Sequence, residues 1–246
     1  MDGAFQSGGE EMNNLDLTKW KELDNIWTHS LWCGNYRMKE LQECGNRKFH
    51  GNFIPEIPYQ MMLRYTKEGE KVLDPFAGSG TTGDVAKILN RDCDMYDLNP
   101  VRDDIKKADA RSFDYNCMYH LVILHPPYAD IIKFSNDVDD LSMSYPEPFL
   151  TEFRKMVLNI SKYLLSGRYL ILVCGEIWVK GEEFPLGVYC SDIIRDCGFE
   201  RRGIIVKDYG QGIKDETQNL KRYRHLKNGT WDFFGDTVFV MRKKGL

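Results

Sequence analysis

The chain has 246 residues, which suits one domain of ordinary size or a core domain with a modest insertion. Its 42% hydrophobic, 13% aromatic and 28% charged residues exclude collagenous, disordered and membrane-type compositions. A net charge of −4 gives no global field to draw in phosphates, so any nucleic-acid surface must be local.

In chain order, the polar and acidic start lacks the layout of a signal peptide, and no apolar run reaches the ~18–20 residues that span a bilayer. A cytoplasmic protein without a membrane partner is the expectation. Residues 1–52, rich in Trp, Asn, Gly and charge, read as an irregular arm. Its Trp27 and Trp32 are expected to pack on the domain that follows, with DNA contact by Tyr36, Arg37, Arg47 and Lys48 as the other reading. Residues 53–246 read as one α/β domain. Ile57, Met61, Met62 and Tyr65 recur at helical spacing between Pro55 and Thr66, a helix with proline at its start. A buried strand from Lys71 to Asp74, a glycine-rich turn and a helix from Thr81 to Leu89 follow. Further strands are predicted at Cys93 to Asp97, Ile105 to Ala108 and His120 to Leu124. Phe153, Met156, Val157, Ile160 and Leu164 mark the stripe of a helix between Phe149 and Leu165. A strand from Tyr169 to Cys174, a helix from Tyr189 to Cys197 closed by Gly198, and a strand from Gly203 to Val206 come next. A polar and basic insertion, 207–235, precedes the last strand, Asp236 to Met241. Strands alternating with helices imply a mostly parallel sheet covered on both faces, with ligands beyond the strand C-termini. The seven cysteines form no CxxC pair, which favours reduced thiols over a disulfide frame or zinc site.

Chemistry concentrates in two segments. In Val72-Leu-Asp-Pro-Phe-Ala-Gly-Ser-Gly-Thr-Thr82, glycines between a buried strand and a helix let the backbone approach a ligand that a Cβ would hold off. Asp97 follows Gly78 by 19 residues at the end of the next strand, where a carboxylate can accept from both hydroxyls of a ribose. The ligand looks like a nucleoside. In Leu121-Val-Ile-Leu-His-Pro-Pro-Tyr128, two prolines stiffen the loop after an apolar strand. Free carbonyls, a side-chain acceptor and an aromatic face suit a planar, amine-bearing base.

With these motifs the sequence resembles the amino-methyltransferases that use S-adenosylmethionine, particularly those acting on adenine N6 or cytosine N4 of DNA. The resemblance covers roughly Lys48 to Lys180 and implies a Rossmann-like fold, a seven-stranded, mostly parallel sheet with helices on both faces and an antiparallel last strand. It implies S-adenosylmethionine as cofactor, held by Asp74, Pro75, Phe76, Ala77, Gly78, Ser79, Gly80, Thr81 and Asp97. His50-Gly-Asn-Phe-Ile-Pro55 looks like the family's segment over the methionine end, through Phe53 and Pro55. Ala108-Asp109-Ala110 looks like the turn that reads the adenine, through Asp109 and Ala110. His125, Pro126, Pro127 and Tyr128 stand where the family has Asp, Asn or Ser followed by PPY or PPW. Tyr128 would stack on a flipped base, while the Pro126 carbonyl and His125 accept its amine hydrogens. No metal is required. His125 departs from the pattern at the residue that helps separate adenine from cytosine enzymes; adenine is favoured by family frequency alone. Lys221, Arg222 and Arg224, interleaved with aromatics, are the expected DNA contacts, and Gly175-Glu-Ile-Trp178 is a candidate wall of the base pocket. DNA is the expected partner, and a restriction endonuclease is admitted. RNA bases, a protein amide or a catalytically degenerate binding protein remain the alternatives.

Overall fold

Val72 and Leu73, Leu121 to Leu124 and Leu170 to Val173 are fully buried, the continuous apolar runs that parallel strands need when helices cover both faces of a sheet. The computed structural model describes residues 12–34, 37–49, 51–129, 140–208, 216–231, 233 and 235–245. In chain order these form β1 (Leu31–Trp32), α1 (Glu56–Tyr65), β2 (Lys71–Asp74), α2 (Thr81–Ile88), β3 (Asp92–Asp97), β4 (Lys106–Lys107), β5 (Tyr119–Leu124), α3 (Pro146–Ser161), β6 (Leu164–Cys174), β7 (Ile177–Val179), β8 (Glu182–Phe184), α4 (Leu186–Asp196), β9 (Phe199–Asp208), α5 (Glu216–Asn228) and β10 (Gly235–Lys243). The fold is Rossmann-like.

The central sheet runs β1-β9-β10-β6-β5-β2-β3-β4, and β7 pairs β8 in a separate hairpin. β10 alone is antiparallel to its neighbours, β6 and β9. Among the described residues the sheet therefore has eight strands where seven are expected. The extra one is β1, from the arm, which adds in parallel to β9 by pairing Leu31 with Val206 and Trp32 with Lys207. Two residues carry no readable period, so local sequence could not reveal it.

Strand alternation divides the core. Leu121 and Ile123 pack toward α1, α2 and the arm, with Met61, Met62, Val85, Trp32 and Leu41. Val122 and Leu124 pack toward α3 and α4, with Phe149, Phe153, Met156 and Ile194. Trp32 is only 5% exposed and meets Trp27 edge to face at 5.0 Å. The arm thus covers one face of the sheet.

Several boundaries move; β9, for one, runs from Phe199 to Asp208 rather than from Gly203 to Val206. α3 ends at Ser161, and β6 begins at Leu164 rather than Tyr169, because Tyr119 pairs with Leu164 across the sheet before the apolar run starts. α4 begins directly after Pro185, where proline suits a helix start. The insertion contains α5, whose exposed Leu220, Tyr223 and Leu226 form no core-facing stripe of the kind that sequence reading detects.

Phe153 is fully buried and its ring lies nearly parallel to that of Phe149, centroids 5.9 Å apart. Phe153→Ala should cost about 3–5 kcal/mol of stability through lost burial and a residual cavity. Urea unfolding followed by circular dichroism measures it.

Candidate active site

The turn from β2 to α2 is built from its own backbone. Asp74 accepts from the Phe76 N–H at 3.0 Å, the Ala77 N–H donates to the Tyr96 carbonyl at 2.9 Å, and the Gly80 N–H to the Ala77 carbonyl at 2.7 Å. Gly78 and Gly80 have φ of +48° and +84°, in the left-handed region where a side chain is strained. A Cβ on Gly80 would run into the Arg102 guanidinium, which bonds the Ser79 carbonyl and both oxygens of Asp84. Gly80 therefore shapes the turn from behind.

Asp97 closes the turn from β3. Its Oδ2 accepts from the Gly78 N–H and its Oδ1 from the Asn99 N–H, each at 2.9 Å. A carboxylate offers about four acceptor positions, so these two bonds leave both oxygens able to take a further hydroxyl each. The side chain opens onto a cavity of about 560 Å³ that also meets Phe53, Pro75, Phe76, Ala77, Gly78, Ser79, Thr81, Asp109, Ala110 and all four residues from His125 to Tyr128. That volume is of the size that takes a nucleoside-scale ligand. An acceptor pair for a vicinal diol beside apolar Phe53, Phe76, Ala108 and Leu141 fits an adenosyl group.

The second segment reaches the same cavity from the end of β5. The His125 ring meets Phe53 edge to face at 5.0 Å, and its Nε2 lies 3.0 Å from the Tyr128 hydroxyl. That hydroxyl donates to Oδ1 of Asp236 at 2.8 Å. Burial lowers the His125 pKa, with the Asp236 charge opposing, so the imidazole is neutral at pH 7 and one nitrogen is an acceptor.

Not every expected residue faces the cavity. Pro55, Asp74 and Gly80 lie off its wall: Pro55 precedes the first turn of α1, and Asp74 is buried under the glycine turn. Asp109 reaches the wall, but its carboxylate is held by Arg111 at 2.7 Å, and Arg111 also pairs with Glu152 at 3.0 Å. Burial pushes the Asp109 pKa up, and the bonds from Arg111 more than reverse it. Arg222 and Arg224 are exposed on α5, apart from the cavity wall. The side chain of Lys221, like Tyr36, His50, Tyr209 and Lys214, lies outside the described residues. Trp178, on the β7–β8 hairpin, meets His225 of α5 at 5.5 Å and Phe233 at 5.7 Å. Asn52, within the His50 to Pro55 segment, is also on the cavity wall, and sequence reading missed Phe49 of the arm, Leu141 and Asp236, which are there too. Only tertiary pairing brings them there, and no local pattern signals it.

The sequence profile of the family described as DNA methylase matches residues 6–107, which include the glycine turn and Asp97 but stop short of His125. Over 76 residues the chain is 40% identical to a Type II methyltransferase, M.HinfI, of Haemophilus influenzae, covering 30% of this chain and 20% of that one. Over 83 residues it is 40% identical to a Type II methyltransferase, M2.DpnII, of Streptococcus pneumoniae, covering 32% and 28%. The chain thus spans less than a third of the length of either relative. Among solved structures, the [4+2]-cyclase SpnF superposes with a TM-score of 0.50 at 15% identity, covering 82% of this chain and 88% of that one. This likeness is one of fold alone.

Burial, with the charge of Asp97 nearby adding to it, raises the Asp74 pKa from 3.8 to about 7. The folded state therefore holds a proton that the unfolded chain releases above its own lower pKa. Stability falls as pH rises from about 4 to about 7, and Asp74→Asn, which cannot ionise, should escape up to about 4 kcal/mol of that loss. Unfolding of both proteins at about pH 5 and about pH 8 checks the sign: the Asn variant must gain on the wild type at the higher pH.

Proposed function

We propose that this chain, whose residues 6–107 match the profile of the DNA methylase family, transfers a methyl group from S-adenosylmethionine to an exocyclic amine of a DNA base, adenine N6 by expectation. One observation carries the reading: the glycine turn with Asp97 and the His125-Pro-Pro-Tyr128 segment open onto a single cavity. A diol acceptor and an amine acceptor stand on its two sides. No described helix is long and apolar enough to cross a membrane, and we take the protein to act in the cytoplasm. In this reading residues 53–246 are the transferase domain, and 1–52 an arm that adds Phe49 and Asn52 to the cavity.

S-adenosylmethionine supplies an electrophilic methyl on a sulfonium. Asp97 would hold its ribose, and Phe53, Phe76 and Ala110 its apolar surroundings. The chain's own residues then present the nucleophile. A stacked amine cannot be reached, so the base is flipped out and held by stacking and polar contacts. The Tyr128 face stacks on it, while the Pro126 carbonyl and His125 accept the two amine hydrogens and aim the nitrogen lone pair. The prolines keep these acceptors fixed, so little reorganisation accompanies the reaction.

Protein incubated with methyl-labelled S-adenosylmethionine should label duplex DNA, and nucleoside analysis should find the label on N6-methyl-2′-deoxyadenosine; N4-methyl-2′-deoxycytidine would change the base. Label in RNA or protein alone would overturn the reading. Asp97→Ala should weaken S-adenosylmethionine binding by roughly 1–3 kcal/mol with the fold kept, because the ribose hydroxyls lose their charged acceptor. Titration calorimetry reads it.

For DNA we propose α5 as the docking element. Arg222 and Arg224 are exposed beside Tyr223 at 61% and Trp231 at 85% exposure, and basic residues among aromatics suit phosphate contact and stacking. The contact of Trp178 with His225 ties this helix to the hairpin that follows β6. Replacing Arg222 and Arg224 with Gln should flatten the slope of log affinity against log salt by roughly 2 units on every duplex. S-adenosylmethionine affinity should not change. A restriction endonuclease reading the same sequence is the partner class this reading admits.

A further inference from the structure

Asp236 has no part in the reading above, yet it ends a hydrogen-bonded chain that begins at the proposed amine acceptor. It is buried, 6% exposed, near the start of β10, where it pairs across the sheet with Lys207. Its Oδ1 takes the Tyr128 hydroxyl at 2.8 Å, and the Tyr128 oxygen lies 3.0 Å from Nε2 of His125. A phenol carries a single hydrogen. With that hydrogen given to a carboxylate, the Tyr128 oxygen can meet Nε2 only as an acceptor. Nε2 must then bear the imidazole proton, and Nδ1 is left with a lone pair.

The packing holds this arrangement. A Cβ on Gly175, just after β6, would lie 2.9 Å from Cε2 of Tyr128 and 3.4 Å from Oδ1 of Asp236, so the missing side chain is what lets ring and carboxylate meet. Phe53 sits edge-on to the His125 ring from the other side. We propose that Asp236 is a positioning residue which, through the Tyr128 hydroxyl, fixes His125 as the Nε2–H tautomer and so presents Nδ1 as the acceptor for the base amine. This rests on the function proposed above, and it explains how an imidazole can stand where a side-chain oxygen is usual. An oxygen accepts whichever way it turns; an imidazole accepts through one nitrogen only, and which one must be set. Without Asp236 the Tyr128 hydroxyl can turn and donate to Nε2. The proton then moves to Nδ1, which faces an amine hydrogen with another hydrogen.

The test is 15N NMR of the full chain labelled at histidine, with the His125 signals identified by their loss in His125→Asn. In the wild type at neutral pH, Nε2 should show the shift of a protonated nitrogen and Nδ1 that of a bare one. Asp236→Ala and Tyr128→Phe should each move both shifts toward a tautomer mixture. Each should lower kcat for methyl transfer at least roughly tenfold, since a wrong tautomer disables an imidazole whose position is intact, while the Kd for S-adenosylmethionine stays within about twofold, since neither side chain is among those proposed to hold its ribose or its apolar surroundings. Asp236→Asn keeps an acceptor oxygen and should keep both the shifts and most of the rate. If Asp236→Ala does not fold, Tyr128→Phe, which retains the ring, carries the test. A wild-type His125 protonated at Nδ1, or variants with wild-type shifts or wild-type kcat, would overturn the proposal. The shifts are read without substrate, so a wild type that methylates no DNA would remove the function proposed above and the amine acceptor with it, leaving the relay to stand or fall on the spectrum.

Discussion

The pairing of β2 with β5 is the constraint on which the site depends. Val72 sits beside Leu121 and Leu73 beside Val122 in a parallel ladder, so both strands end at the same edge of the sheet. The glycine turn leaves one of those ends and His125 leaves the other. Parallel neighbours cannot be joined by a tight turn, and the intervening chain is spent on α2, β3 and β4. That detour delivers Asp97 and Asp109 to the same edge. A cavity with Asp97 on one wall and His125 on the other is thus a consequence of strand order. The ladder is secured by burial on both faces, where Leu121 and Ile123 face one cluster and Val122 and Leu124 the other.

What could be read from the sequence follows from how local each signal is. The strands β2, β3 and β5, the helix α2 and the turn between β2 and α2 are each written in a run of fewer than a dozen residues, and their periods and glycines survive into the structure. The doubly covered parallel sheet follows from their alternation. β1 could not be read, because two residues hold no period and their reason for being extended lies on β9. Asp236 could not be read either: it is one acid at the start of a strand, and Tyr128, 108 residues earlier, gives it meaning. Asp109 shows the opposite limit. Its place on the cavity wall was legible from Ala-Asp-Ala, but its occupation by Arg111 two residues on was not.

The two acids beneath and beside the glycine turn differ because their solvation differs. Asp74 is raised toward neutrality by its burial, against the bond from the Phe76 N–H; Asp97 lies on the cavity wall with two backbone donors on its carboxylate. A neutral carboxyl under the turn avoids placing a negative charge in a fully buried position.

β10 lies between β6 and β9 in the sheet although it follows both in the chain. The sheet therefore cannot be completed in the order in which it is synthesised. Until residues 235–243 emerge, β6 presents an unpaired apolar edge and β9 has no bridge to the rest of the sheet, a state open to wrong pairing. The β1 contact spans an even longer separation, with Lys207 of β9 bonded to the Gly34 carbonyl 173 residues away. Loop closures of that size are slow, whereas the part of the cavity made by β2, α2 and β3 can form from local contacts. The Asp236 half must wait for the strand that closes the fold.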